Sequence, residues 1–355
     1  MKIVLVIPTL KQGGAEKIMS DLANTWAVQG HDIHLILLAK SEIFYSMNKS
    51  ISIYNLGFVN TGAIGEILSE LKTFIKLRKL IKKIRPLFIL SFMEKYNVFT
   101  LLASSFLNQN VFVSDRSSPR KKEPFSTRIL RKITYRYASG IVAQTSLAKE
   151  ILQADTKNKN ISVIPNPLKN HRDILNIKKE KIIINVGRLI PEKGQEFLFK
   201  AFAAINNKDW KLVILGDGPL KTQLEVLARQ LNIADKIYMP GTVKNVDEWL
   251  ARSSIFAFTS VSEGFPNSLV EAMAAGLPCV SFDCDAGPKD IIENAKNGFL
   301  IPVGNTDKFS DILQQLIDDE NLRFKIGINA KEIAARLDFN LITNNYLEFC
   351  TSNSR

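Results

Sequence analysis

The segment Glu263-Gly264-Phe265-Pro266-Asn267-Ser268-Leu269-Val270-Glu271 follows a short apolar run, Ile255-Phe256-Ala257-Phe258-Thr259, that reads as a buried strand. Beyond Pro266 the chain is rich in Ala, Met, Glu and Leu until Gly276 and Pro278, the composition and stop signal of a helix. Glu263 is thereby placed in a loop at a strand's carboxyl end, and Glu271 in the first turns of the next helix. In an open α/β sheet that edge is where ligands bind. The amides of Asn267, Ser268 and Leu269 are expected to be unpaired at the helix start, a site for a phosphate. A carboxylate just inside can accept a hydrogen bond from each hydroxyl of a sugar diol. Two carboxylates beside an anion site suggest a sugar nucleotide, while a loop Glu and a surface-helix Glu is the plainer alternative.

Outward from this segment, the second half of the chain alternates strands and helices. Strands are expected at Ile182–Val186, Lys211–Leu215, Ile237–Met239, Pro278–Phe282 and Gly298–Leu300, with helices from about Gln195 to Ile205, Leu220 to Leu231 and Val246 to Arg252. The first half does the same. Strands are expected at Ile3–Pro8, Ile33–Leu38, Leu87–Ser91, Val111–Ser114 and Gly140–Ala143, and the first helix from about Glu16 to Val28. Pro165-Asn166-Pro167 breaks any regular element, and the polar stretch Leu168–Lys181 reads as a linker. The expectation is α/β throughout: two Rossmann-like, doubly wound domains, 1–168 and 169–338, facing a central cleft. A C-terminal helix at about 339–355 is expected to pack back on the first domain.

Composition fits that reading. The chain has 355 residues, 46% hydrophobic and 23% charged, as in a soluble globular protein of two ordinary domains. No apolar run approaches the ~18 residues that span a bilayer, and Lys2–Ile7 reads as a strand rather than a signal peptide. Three irregularly spaced cysteines exclude a disulfide framework or a zinc site, and point to a reducing cytoplasm. The net charge of +12 is uneven: residues 1–170 hold 25 Lys and Arg against 11 Asp and Glu, or +14, and the rest hold 22 against 24, or −2. An anionic partner is therefore expected for the first half alone.

Three loops carry further chemistry. Gly13-Gly14, between the first strand and helix, lets the backbone come close to a ligand. It is not a dinucleotide fingerprint, and Gly216-Asp217-Gly218 begins such a pattern but has Lys221 where the third glycine belongs. A tight strand-to-helix turn also explains either loop. Arg188 and Lys193 flank the turn after Ile182–Val186. A planar fork and a point charge suit a diphosphate, although two solvated cations would read the same way in isolation.

Taken together, Gly13-Gly14-Ala15-Glu16, Gly187-Arg188, Glu192-Lys193-Gly194, Gly216-Asp217-Gly218 and the Glu263-x7-Glu271 spacing resemble glycosyltransferase family 4 over nearly the whole chain. The resemblance implies a GT-B fold and a retaining enzyme that uses a nucleotide sugar. It implies that Arg188 and Lys193 bind the donor diphosphate, Glu271 the ribose and Glu263 the transferred sugar. Gly216, Gly264, Phe265, Asn267, Ser268 and Leu269 would complete the donor site. Gly241-Thr242-Val243 would line the base, and Gly14 would approach the phosphates and acceptor. Members building bacterial surface or lipid-linked oligosaccharides are the most similar. One departure stands out: many members carry a donor-contacting His after the strand matching Val111–Ser114. Here Asp115-Arg116-Ser117 occupies that loop, and His31, His34 and His171 lie elsewhere. Ser-Asp/Glu-Arg variants occur in the family, so Asp115 or Arg116 is expected to contact donor sugar or acceptor. Retention with no evident enzymic nucleophile is consistent with front-face attack assisted by the leaving diphosphate. No metal or cofactor is expected; Asp283-Cys284-Asp285 reads as a strand-end loop, since the cation pair already neutralises a diphosphate.

The basic charge lies on two segments. Glu66–Arg85 reads as an amphipathic helix with an apolar stripe from Ile67 and Leu68 through Leu71, Phe74, Ile75, Leu77, Leu80 and Ile81 to Ile84, and Lys72, Lys76, Lys79 and Lys83 on another face. Arg120-Lys121-Lys122 and Arg128–Arg136 form the second, whose Phe125, Ile129, Leu130, Ile133 and Tyr137 are suited to a lipid headgroup layer. Core-packed helices with wet basic faces are the alternative. No nucleic-acid module is visible. With the resemblance, the expected partners are a nucleotide sugar, UDP-linked by family frequency, a lipid-diphosphate-linked or glycan acceptor, and the anionic inner face of the plasma membrane, to which the protein would bind peripherally. A GT-B-type sugar-nucleotide epimerase and a catalytically silent sugar-nucleotide or lipid-binding protein are the competing readings.

Overall fold

The computed structural model describes residues 1–58, 63–121, 124–168, 177–206 and 208–354, with side chains at 63–66 outside that description. Residues 169–176 of the expected linker (including His171) and Lys122 lie outside the described residues. The chain divides into two compact units, residues 1–167 with 340–355 and residues 168–339.

In the first unit the strands are β1 (Lys2–Ile7), β2 (Asp32–Ala39), β3 (Ser52–Phe58), β4 (Phe88–Phe92), β5 (Val111–Ser114), β6 (Gly140–Ala143) and β7 (Ile161–Val163). They form one parallel sheet in the order β3-β2-β1-β4-β5-β6-β7. The helices are α1 (Gly14–Val28), α2 (Ala63–Ile84), α3 (Glu94–Ser104), α4 (Phe125–Tyr135) and α5 (Ser146–Thr156). β1, β4, β5 and β6 are apolar nearly throughout because helices cover both sheet faces. β3 and β7 escaped the sequence reading. Both are sheet edges: β3 alternates buried and exposed positions around Asn55 and Gly57, and β7 has three residues. The apolar stripe expected along α2 is split. Leu77, Ile81 and Ile84 are buried in the core, whereas Ile67, Leu68, Leu71 and Ile75 are exposed.

The second unit holds β8 (Ile182–Val186), β9 (Lys211–Leu215), β10 (Ile237–Gly241), β11 (Ile255–Phe258), β12 (Cys279–Phe282) and β13 (Phe299–Ile301). Their order, β10-β9-β8-β11-β12-β13, is again all parallel. Helices α6 (Gln195–Ala204), α7 (Lys221–Gln230), α8 (Val246–Arg252), α9 (Asn267–Ala274), α10 (Pro288–Ile291), α11 (Thr306–Asp318), α12 (Glu320–Ala330) and α13 (Ile333–Arg336) pack about it. Its core joins Phe199 and Phe202 of α6 to Phe282 and Phe309. In both sheets the strand order reverses beside the first strand of the unit. That switch point opens a crevice at the strand carboxyl ends: beside β1 and β4 in one unit, and beside β8 and β11 in the other.

The last helix, α14 (Phe339–Ser352), belongs to the first unit from Asn340 onward. The Trp26 indole donates to the Thr343 carbonyl at 3.3 Å, and Phe349 packs edge-on to Phe112.

Candidate active site

The loops after β8 and β11 meet at the switch point of the second sheet. The chain leaves β8 as Gly187-Arg188-Leu189, crosses a single 3-10 turn at Pro191–Lys193 and enters α6 through Gly194. Gly194 has φ +59, and a Cβ there would stand 2.3 Å from the Thr259 carbonyl oxygen just past β11. Two further bonds join these loops: Val261 N to Glu192 O at 2.9 Å, and Thr259 Oγ1 to Lys193 O at 3.1 Å. This contact lays the Lys193 stem over Gly187 and delivers its ammonium to Glu263, Nζ to Oε1 at 2.5 Å. The two side chains are 20% and 10% exposed. An ion pair so little hydrated holds its geometry far better than a surface pair does. Arg188 is exposed, and its guanidinium has no protein partner among the described residues.

The 187–189 turn is clamped from two further sides. Gly216 after β9 has φ +146, and a Cβ there would fall 1.9 Å from the Gly187 oxygen; one on Gly218 would fall 2.4 Å from the Leu189 oxygen. Main-chain bonds close the same contact, Gly187 N to Leu215 O at 2.9 Å and Leu189 N to Asp217 O at 2.9 Å, while Gly216 N to Gly241 O at 2.9 Å ties the loop to the end of β10. Beneath it the buried Gln195 gives Nε2 to the Arg188 carbonyl at 3.0 Å. Val243, half-buried, follows β10 on the adjoining loop.

The start of α9 differs from expectation. Asn267 N donates to Phe265 O at 3.0 Å and Leu269 N to Pro266 O at 3.1 Å, so two of the three amides assigned to a phosphate are already used. Pro266 winds the first turn tightly enough for the chain to satisfy them itself, which leaves Ser268 N as the amide without a main-chain partner there. Phe265 is buried and Gly264 half-buried. Glu271 lies in the second turn of α9, half-buried and with a partner of its own.

Two residues beside this group had no signal in sequence. Cys284, in the loop after β12, is buried against the Lys193–Glu263 pair; burial first, and then the Glu263 charge, push its thiol up to about 12. Gly287, at φ +104, packs on Pro266, where a Cβ would come within 2.2 Å of Cδ. Asp283 of the same loop pairs with Lys289 at 3.0 Å. Among the described residues no three His, Cys, Asp or Glu side chains cluster as metal ligands.

The remaining predicted residues lie in the first unit. Gly14 is the exposed first residue of α1, and the Tyr45 hydroxyl brackets Gly13, accepting from its N at 3.0 Å and donating to its O at 2.8 Å. Asp115, after β5, accepts from the Tyr135 hydroxyl at 2.5 Å and Asn97 Nδ2 at 3.1 Å. Burial, followed by the Asp115 charge, holds the Tyr135 phenol well above its ordinary range. Arg131 of α4 bridges Glu94 at 3.1 Å and Asp155 at 2.8 Å alongside. Arg116 serves the fold: it stacks 3.9 Å from the Phe92 ring, bonds the Tyr346 hydroxyl at 2.8 Å and contacts Asn166. Burial lowers its basicity. The opposite face of α4 is open, with Phe125, Ile129, Leu130 and Ile133 exposed among Arg128 and Lys132. No helix among the described residues is long and apolar enough to cross a membrane.

Two family models match the chain: Glycosyltransferase Family 4 over residues 12–172 and Glycosyl transferases group 1 over residues 168–333. A Haemophilus influenzae protein described as an uncharacterized glycosyltransferase is 30% identical over 319 residues, 89% of this chain and 90% of its own. A Campylobacter jejuni enzyme is 26% identical over 355 residues, 98% of each chain. It is named GalNAc-alpha-(1->4)-GalNAc-alpha-(1->3)-diNAcBac-PP-undecaprenol alpha-1,4-N-acetyl-D-galactosaminyltransferase. Among solved structures, Anabaena HepE in complex with UDP matches with a TM-score of 0.83 at 21% identity, over 99% of this chain and 100% of that one, a likeness of fold.

Proposed function

The chain belongs to the family 4, group 1 glycosyltransferases, and on that premise we propose that it moves a sugar, with retention, from UDP-hexose or UDP-N-acetylhexosamine to a lipid-linked or surface-glycan acceptor. The observation that carries the reading is the 2.5 Å Lys193–Glu263 pair beside the unpartnered Arg188, at the switch point of a parallel sheet. Lys193 has two N–H donors left after Glu263, and Arg188 has its whole fork. Both are offered to the diphosphate, while Glu263 keeps a second oxygen for a sugar hydroxyl. Glu271 is assigned to the ribose, and the loops at Gly216 and Val243 to the nucleoside.

In the proposed step the bond between C1 and the diphosphate oxygen breaks, and its electron pair leaves with the diphosphate. The acceptor oxygen bonds to C1 on the same face, and its proton passes to the departing phosphate oxygen. Arg188 and Lys193 stabilise the charge as it develops there, so no metal is assigned to the step. Asp115, held by Tyr135 and Asn97, is assigned to the donor sugar or acceptor. The open face of α4 and the exposed Ile67, Leu68, Leu71 and Ile75 of α2 are assigned to the anionic inner face of the plasma membrane. Each Lys or Arg near such a surface contributes about 1 kcal/mol. The lipid-linked acceptor named for the Campylobacter relative supports that placement.

The test incubates the protein with UDP-glucose, UDP-galactose and their N-acetylated counterparts, with and without an undecaprenyl-diphosphate-linked sugar. UDP release that rises with the acceptor, and a product whose anomeric configuration by NMR matches the donor, is the expected result. Interconversion of the donor sugars without acceptor would replace this reading with an epimerase, and binding without turnover with a silent sugar-nucleotide protein.

A further inference from the structure

We propose that Gln195 is a positioning residue for the nucleotide sugar, setting the direction of Arg188 through the main chain, an inference that rests on the Arg188 assignment above. Gln195 opens α6 directly after Gly194 and is 1% exposed. Its Nε2 donates to the Arg188 carbonyl at 3.0 Å, the one half of the amide that can face an acceptor. The same oxygen accepts from Ile190 N at 3.0 Å, and Leu189 N donates to Asp217 O at 2.9 Å. The Arg188–Leu189 peptide is thus held by three hydrogen bonds. Two come from the main chain, and Gln195 supplies the one that a side-chain change can remove.

That peptide matters because no other contact directs Arg188. The side chain is exposed, and its guanidinium has no protein partner among the described residues. Its direction is therefore set where it leaves the backbone, and a rotation of the peptide is magnified along a long side chain. A displacement of about 1 Å in a positioning group can cost about a hundredfold in rate. The turn's three successive carbonyls are each engaged. Gly216 abuts the Gly187 oxygen, and Gly218 abuts the Leu189 oxygen, which also accepts from Leu220 N at 3.1 Å. Gln195 takes the carbonyl between them.

Packing alone does not account for a glutamine here. The other half of its amide, Oε1, is buried with no protein partner among the described residues. A buried acceptor left unbonded counts against the fold. Methionine has the same unbranched reach and no amide to leave half-paired. What the glutamine gains over it is the bond to the Arg188 carbonyl. A polar side chain kept against the local packing preference, next to a binding group, points to the site rather than to the core.

Calorimetric titration of UDP into the full chain tests the assignment in four forms: wild type, Gln195→Met, Arg188→Ala and the two changes combined. Gln195→Met is expected to weaken UDP roughly three- to tenfold, the worth of one hydrogen bond. Its thermal midpoint should stay within about 2 °C of wild type or rise. In the Arg188→Ala background the same change should alter UDP affinity by less than about twofold, since no guanidinium is left to direct. Gln195→Asn, one methylene shorter, is the second variant and should behave as the Met variant does. Undiminished UDP affinity in both Gln195 variants would overturn the inference. So would an equal loss with and without Arg188, or a midpoint lowered by more than about 5 °C in both variants, either of which makes Gln195 a support of the fold. If Arg188→Ala binds UDP as tightly as wild type, or wild type binds none, the donor assignment falls and the role of Gln195 falls with it. Failure at Gln195 alone leaves the donor assignment standing.

Discussion

The two sheets end in differently built edges. Around β8 and β11 the loops are joined main chain to main chain, through glycines whose missing side chains let carbonyls close in: Gly194 on Thr259, Gly216 on Gly187, Gly218 on Leu189. Around β4 and β5 the joints are side chains, Tyr135 and Asn97 on Asp115, Arg131 on Glu94, Arg116 on Phe92 and Tyr346. The first construction fixes a narrow turn and leaves Arg188 exposed at its crest, which suits a ligand group that is always the same, such as a diphosphate. The second can be changed one residue at a time without moving the backbone, which suits the partner that varies.

That contrast can be broken at its strongest joint first. Gly216→Ala combines an unfavourable φ with a clash against a backbone oxygen that has nowhere to move. Destabilisation of about 3 kcal/mol or more is expected by denaturant titration. Tolerance of the alanine would mean the latch is loose. Tyr135→Phe removes two buried hydrogen bonds, the one donated to Asp115 and the one accepted from Asn97, and should lower stability by about 2 kcal/mol in the same titration. Gly216→Ala proving milder than Tyr135→Phe would reverse the ranking of the two constructions. Ile129→Glu with Ile133→Glu alters only the exposed side of α4. Its thermal midpoint should stay within about 2 °C, while flotation with anionic liposomes at moderate salt is lost. Unchanged flotation would remove α4 from the membrane reading. The smallest effect is expected at Cys284. Buried, and with its thiol raised to about 12, it should resist a thiol reagent at pH 8 until the chain is unfolded.

How far each edge could be read from sequence follows the same division. The paired Rossmann-like sheets were legible because buried parallel strands such as Ile182–Val186 and Val111–Ser114 are continuous apolar runs, and their bounds match expectation. The edge strands β3 and β7 were not, since a half-exposed or three-residue strand carries no such pattern. At the site, Gly194, Gly216 and Lys193 are visible as glycines and a cation in strand-end loops. What sequence could not supply is which carbonyl each glycine faces, or that Lys193 reaches Glu263, 70 residues away. Asn267 and Leu269 were misjudged because Pro266 lets the chain cap its own helix start. Cys284, Gly287, Gln195 and Tyr45 carry no pattern along the chain and become significant only through what they touch. Along α2, helical periodicity ran through the core-facing and the exposed apolar residues alike, so it did not separate Leu77 and Ile81 from Ile67 and Leu71.

The central claim is that the latched 187–194 turn exists to hold a nucleotide sugar through Arg188, and calorimetric titration of UDP into the wild-type chain and Arg188→Ala tests it most directly. Arg188 is exposed and unpartnered among the described residues, so its removal should leave stability within about 0.5 kcal/mol. UDP is expected to bind the wild-type chain and to bind the variant at least roughly tenfold more weakly, the loss of about 1.4 kcal/mol. Equal affinity in the two proteins, or no UDP binding by the wild-type chain, would contradict the account.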